Sequence, residues 1–320
     1  MTVVEIPSAT HAAQRCLGGR FLLDERISSG DQVSGSSGPC GSSWEARGLS
    51  LWKATDQLLG RPVAIYLLPP GIPVPRTVVE AVQAAAKVTD SRLATIYDTD
   101  FRPECPYIVS EWTPGTHLED VVLSGLPHPA LAAAMIADAA DALAIAHQAG
   151  QPHLCLTPRS LRWDAGRGLK ITGLGLDAAL CGPALGDDDP RVADTKALAR
   201  MLYALLTGCW PGQDATALPP APMHKGQVCT PRQVRAGVPA VLDAITYRAL
   251  QGQAPDAPVR PLPPGGLALA LHGVQRPSLR LVDPPEDVTS PPGNLSRRAG
   301  RHARARAGRL HRTTLLSPAV

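Results

Sequence analysis

The stretch GQPHLCLTPRSL (150–161), followed closely by LKITGLGL (169–176), decides the fold. An apolar run from Pro129 to Gln148 precedes it. Ala and Leu recur throughout that run and charges are few, so it reads as a long helix buried on most sides. Gly168 to Thr172 reads as a short strand. The first stretch is therefore a loop held between a buried helix and a strand. Downstream, Asp194 to Leu206 has the period of an amphipathic helix, with Thr207-Gly208 as its stop signal. Val238 to Leu250 repeats the pattern. Upstream, Arg20 to Ile27, Leu51 to Thr55, Pro62 to Leu68, Leu93 to Tyr97 and Tyr107 to Glu111 suit strands. Asp56 to Arg61 is a turn, and Pro69, Pro70, Pro73 and Pro75 break the chain before an Ala-rich helix from Thr77 to Val88. A small β-rich α+β lobe thus precedes a mostly helical one.

The composition allows this. A chain of 320 residues suffices for one large two-lobed domain. Hydrophobic residues make up 44% but aromatic residues only 4%, so the core rests on Leu, Val, Ala and Ile. A net charge of +3 does not call for a nucleic-acid partner. Much of the surplus lies after Ser296, in RRAGRHARARAGRLHR (297–312). That run is expected to touch anionic membranes weakly and not to recognise a specific nucleic acid. The seven Cys form no C-x-x-C pair and no metal-like spacing, and they read as reduced thiols. No signal segment is apparent and no transmembrane helix is expected. The expected location is the cytoplasm, peripheral to the inner face of the membrane if the basic run engages it.

Five stretches in order resemble protein kinases: LGRPVAIYLL (59–68) the strand carrying V-A-I-K, YIVSEWTPGTHL (107–118) the hinge, GQPHLCLTPRSL (150–161) the catalytic loop H-R-D-L-K-P-x-N, LKITGLGL (169–176) the strand entering D-F-G, and DTKALARMLYALLTGCWP (194–211) the helix that opens on a structural Asp. The resemblance implies an α+β, two-lobed kinase-like fold over 19–252. A flexible leader (1–18), a Pro/Gly-rich linker (253–296) and a disordered basic tail (297–320) flank it.

The departures fall on the chemistry. Where the resemblance places the phosphate-holding Lys stands Tyr66. Cys155 replaces the catalytic Asp, Thr157 the following Lys, Ser160 the metal-binding Asn and Gly173 the D-F-G Asp. No cofactor is expected, since the usual holders of ATP and magnesium are gone. Glu80 stands where the helix Glu would pair with the missing Lys and reads as an ordinary solvated carboxylate. His153 and Asp194 match residues that support the catalytic loop, and both read as structural. Gly35, Gly38 and Gly41 read as a plain flexible loop rather than a phosphate cradle, Asp187-Asp188-Asp189 as a solvated loop rather than a metal site, and Cys155 as an inert thiol rather than a nucleophile.

The degenerate loops and the segment TPRQVRAGVP (230–239) resemble the actinobacterial pseudokinase linked to the MviN-type lipid II flippase. That resemblance implies a regulatory role in peptidoglycan synthesis. It also implies recruitment of a forkhead-associated domain protein through a phosphothreonine made by an active serine/threonine kinase. Family members often continue into a transmembrane segment, where a linker and basic tail are expected here. Candidate phosphosites are Thr230, Thr289, Thr313 and Thr314. A weakly active or atypical serine/threonine kinase that binds ATP is the alternative.

Overall fold

The computed structural model describes residues 16–27, 48–182, 189–213, 216–251 and 262–274. Gly35, Gly38, Gly41, Asp187, Asp188, Thr289, Thr313, Thr314 and the basic run lie outside them. The first lobe runs β1 (Cys16–Leu17), β2 (Phe21–Ile27), β3 (Ser50–Asp56), β4 (Arg61–Leu67), α1 (Arg76–Ala85), β5 (Ile96–Asp100) and β6 (Tyr107–Glu111). The strands form one antiparallel sheet in the order β1-β2-β3-β4-β6-β5. The sheet is curled. Arg20, between β1 and β2, grips Asp56 with two hydrogen bonds of 2.9 and 2.7 Å and reaches Asp98 on β5 at 3.5 Å.

Alternation along β4 splits its side chains between two cores. Val63 and Ile65 join Phe21, Leu23, Trp52, Tyr107 and Val109 on one face. Tyr66 points the other way, among Leu49, Leu68, Val78, Val82, Ile108 and Leu176. Its position is set by register: Tyr66 pairs with Ile108 across β4 and β6, and both face α1.

The second lobe continues with β7 (Thr116–His117), α2 (Leu118–Ser124), α3 (Pro129–Gln148), β8 (Leu161–Asp164), β9 (Gly168–Ile171), α4 (Leu176–Cys181), α5 (Pro190–Thr207), β10 (Met223–His224), β11 (Gln227–Val228), α6 (Pro231–Val234), α7 (Ala240–Gln251) and α8 (Pro264–His272). β7, β8 and β9 form a small antiparallel sheet. α3 has the length and apolarity of a membrane span, a property the sequence reading did not assign to it. It serves as the central core helix instead. Its inner side chains, including Ala132, Ala137, Ala140 and Leu143, are fully buried, and the helix packs against α5, α8 and β9. α5 begins on Asp189, whose Oδ1 accepts the Arg191 N–H at 2.8 Å. It ends on Gly208 in the left-handed region at φ +81°, as a helix stop requires. Asp189, the described member of the acidic run, is thus a helix cap.

Several boundaries differ from the sequence reading: Cys16–Leu17 forms β1 inside the stretch read as a leader (1–18), and the helix expected over Thr77 to Val88 runs Arg76–Ala85. The strand expected at Leu93 to Tyr97 is shifted to Ile96–Asp100, because Leu93 instead makes a parallel bridge with Ile171 of β9. Within the stretch read as linker (253–296), PGGLALALH folds as α8. Its Leu267, Ala268 and Leu271 are buried in the helical core, and burial outweighs the Pro and Gly that weaken the helix locally. Leu267→Ala is expected to cost roughly 2–5 kcal/mol of stability in urea denaturation. Leu269→Ala, on the same helix but with Leu269 75% exposed, should change it by less than ~0.5 kcal/mol.

Candidate functional site

The loop between α3 and β8 is fixed from beneath by one carboxylate. Asp194 on α5 is 1% exposed. Its Oδ2 accepts the backbone N–H of His153 at 2.8 Å and faces His147 Nε2 at 2.8 Å, and its Oδ1 accepts the N–H of Leu154 at 2.7 Å. These bonds hold Leu154 at φ +63°, a left-handed backbone that a leucine adopts only at a cost of order 1–3 kcal/mol. His153 Nε2 lies 2.8 Å from the Thr172 carbonyl, tying the loop to the end of β9. Burial holds the His153 imidazole below its ordinary pKa, so the ring is neutral and its Nε2–H donates to that carbonyl. The structure thus brings His153 and Asp194 together. His147 was missed by the sequence reading: it lies 47 positions from its partner Asp194. The signal it offered was a lone imidazole in the last turn of an apolar helix.

The positions that departed from the kinase pattern are occupied by structure. Cys155 is 3% exposed and its Sγ donates to the Gly182 carbonyl at 3.2 Å. Ser160 Oγ accepts the Thr157 N–H at 3.1 Å and lies 3.2 Å from the Thr157 hydroxyl, so both side chains close the loop on itself. Gly173 stands at φ +85°, and a Cβ added there would overlap the Asp177 carboxylate. Leu176 and Asp177 both donate their N–H to the Gly173 carbonyl, at 3.0 and 2.9 Å, turning the chain into α4. Gly175 lets α4 approach α1: a Cβ there would lie 2.8 Å from that of Ala85. Leu176 then packs beside Tyr66. Burial, then the Asp177 charge, pushes the Tyr66 phenol above its ordinary range, so it stays neutral. Glu80 is on the solvent side of α1, paired with Arg76 at 2.6 Å, and does not enter the site.

These residues do not fit a magnesium–nucleotide centre. Magnesium asks for near-octahedral oxygen ligation. Gly173 offers no side chain, Ser160 is engaged in the loop, and although the Asp177 carboxylate lies beside Gly173, among the described residues no group of three or more His, Cys, Asp or Glu could hold a metal.

The opposite wall carries residues the motif comparison did not single out. Arg159 Nη1 pairs with Glu119 Oε2 at 2.6 Å, and Glu119 Oε1 accepts the Ala217 N–H at 2.6 Å. Arg162 on β8 donates through Nη1 to the Gly115 carbonyl at 3.0 Å and through Nη2 to His117 Nε2 at 2.9 Å. That contact requires Nε2 to be unprotonated, so His117 carries its proton on Nδ1, which donates to the Arg159 carbonyl at 2.7 Å. Burial, then the Arg162 and Arg159 charges, hold the His117 pKa down to about 4. Thr230, the described phosphosite candidate, is the half-buried N-cap of α6, its N–H bound to Gln233 Oε1 at 2.7 Å.

No protein-family model matches the chain. It is 28% identical over 194 residues to serine/threonine-protein kinase PknB of Mycobacterium leprae, covering 52% of this chain and 31% of that protein. It is 26% identical over 228 residues to serine/threonine-protein kinase PknL of Mycobacterium tuberculosis, covering 63% and 53%. The chain spans about a third of the length of the PknB relatives it matches. The PknI kinase domain of Mycobacterium tuberculosis superposes with a TM-score of 0.56 at 18% identity, covering 82% of this chain and 98% of that one. Rad53 in complex with AMP-PNP does so at 0.51 and 17%, covering 70% and 60%. The fold is that of a protein kinase domain. Its small lobe is the curled sheet with α1, and its large lobe is built on α3 and α5.

Two outcomes follow from this kinase-like frame. Asp194→Ala removes one acceptor group from three donors and should destabilise the chain by roughly 3–5 kcal/mol in urea denaturation. The neutral His117 makes stability depend on pH. The unfolded imidazole binds its proton near 6.5 and the folded one only near 4, so stability is full above pH 6.5 and declines as pH falls toward 4. The expected loss from this group is on the order of 3 kcal/mol. Urea midpoints measured from pH 7 to pH 4 should fall less steeply in His117→Gln than in the parent.

Proposed function

We propose that this chain is a catalytically inactive kinase-like scaffold, a pseudokinase that acts by binding protein partners. One observation carries the reading. The supporting frame of His153 and Asp194 is intact, while Tyr66, Cys155, Ser160 and Gly173 have been absorbed into packing and loop closure. Phosphoryl transfer is mostly positioning and electrostatic stabilisation. Loss of a general base costs about 10²–10⁴ in rate, and loss of one preorganised electrostatic contact about 10²–10³. The terms do not simply multiply, but base, cation and metal ligand are all affected.

The finer part of the proposal concerns the partner. An active serine/threonine kinase phosphorylates a threonine of this chain, and a forkhead-associated domain protein then docks on it to regulate peptidoglycan synthesis. The added phosphate carries roughly −1.5 to −2 charge and suits an Arg-lined pocket. Thr230, Thr289, Thr313 and Thr314 are the candidates, and the run 297–312 provides weak contact with the inner face of the membrane from the cytoplasm. The likeness to PknB and PknL, both named serine/threonine-protein kinases, favours a second reading: a weakly active or atypical kinase.

Radiolabelled ATP with magnesium separates the two. The purified chain is expected to label neither itself nor a generic protein substrate above a blank, and Cys155→Asp alone should not rescue transfer. Incorporation by the parent, with contaminating kinases excluded, selects the second reading. For the docking step, an active kinase from the same host is used to phosphorylate the chain. Partner affinity should then fall when the modified threonine is replaced by Ala. Equal affinity with all candidates replaced would refute it.

A further inference from the structure

Where the two sheets meet, side chains from separate elements converge on one aromatic ring. Trp112 follows β6. Lys53 Nζ, from β3, lies 5.3 Å from the ring centroid, and Arg162 Cζ, from β8, lies 5.9 Å from it. All three residues are half-buried, so the cluster is reachable from solvent. A ring attracts each cation modestly.

Among the described residues, neither cation is ion-paired with a nearby carboxylate. Glu111 is paired with Lys170 and Glu119 with Arg159, both at 2.6 Å. Asp120 acts on Arg162 only beyond ion-pair distance. Among the described residues, neither Lys53 nor Arg162 has a carboxylate within 4 Å. Arg162 is nonetheless rigidly aimed, since its two terminal nitrogens each engage one N–H, on the Gly115 carbonyl and on neutral His117. A guanidinium has five N–H groups, so donors remain on it, and the Lys53 ammonium keeps its own. Burial also lowers the pKa of the Arg162 guanidinium from its ordinary value. The side chains are thus preorganised for an anion, and the cation absent at Tyr66 has a counterpart on β8 that feels the Tyr66 oxygen.

We propose that Lys53 and Arg162 form, around Trp112, a subsite for an oligophosphate taken up without a divalent cation. Two cations of different chemistry, a fork and a point charge, suit a ligand carrying several anionic oxygens along its length. A single carboxylate would satisfy one and leave the other. A metal-bound phosphate is disfavoured, because the two cations repel the metal. The proposal stands whether or not phosphoryl transfer is lost.

The test is isothermal titration of the full chain with sodium tripolyphosphate in EDTA at low salt. The basic run 297–312 is present in every variant and contributes the same background. Lys53→Gln and Arg162→Gln are each expected to weaken binding about tenfold or more. Inorganic monophosphate should bind more weakly than tripolyphosphate, and magnesium in place of EDTA should not tighten binding. The Lys53 ammonium rests on the ring at a half-buried position, so Lys53→Gln keeps the fold and carries the test if Arg162→Gln unfolds. Equal affinity in the parent and Lys53→Gln, absence of binding, or tightening by magnesium would each overturn the proposal.

Discussion

The carboxylate of Asp194 accepts from the backbone of His153 and the backbone of Leu154 and faces the ring of His147, all within 2.8 Å. A buried carboxylate is costly unless every oxygen is satisfied, and buried N–H groups are costly without an acceptor. The dependence is mutual, so α3, the 153–160 loop and α5 move as one. The strained Leu154 backbone and the His153–Thr172 bond both follow from it. The backbone at His153 and Leu154 is therefore held by Asp194 and not by the side chains that depart from the kinase pattern.

The positions that depart from the kinase pattern are taken up by packing and turns. A lysine at position 66 would have to send an ammonium into the space now lined by Val78, Val82, Ile108 and Leu176. Tyr66 fills it with an aromatic body. Gly173 leaves room for Asp177 to turn the chain into α4, and Gly175 lets that helix settle on α1. Leu176, at the start of that helix, packs beside Tyr66. Elsewhere, Lys53 and Arg162 lie against the Trp112 ring, and Arg162 donates to the neutral His117.

Much of this was legible in the chain. The 20 residues of α3 and the five of β6 were read at their observed bounds, because a long Ala/Leu run and a short alternating apolar one admit few alternatives. His153 and Asp194 were placed together by motif order. Other features depend on tertiary partners. The His147 contact spans 47 positions, and the Arg162–His117 contact 45, so no local pattern announces either. α8 was hidden because Pro and Gly crowd its start, although LALAL holds the face that docks on α3. Leu93 was drawn out of β5 by a bridge to β9 that only the folded chain supplies. The outward aim of Glu80 is set by which face of α1 buries Val78 and Val82.

The central claim is that the kinase frame persists without a magnesium–nucleotide centre. Calorimetric titration of the full chain with ATP, once in EDTA and once with saturating magnesium, tests it most directly. The account predicts that magnesium leaves ATP affinity unchanged or weakens it. A magnesium-dependent gain of tenfold or more would contradict it, because no group of three or more metal-holding side chains is found among the described residues.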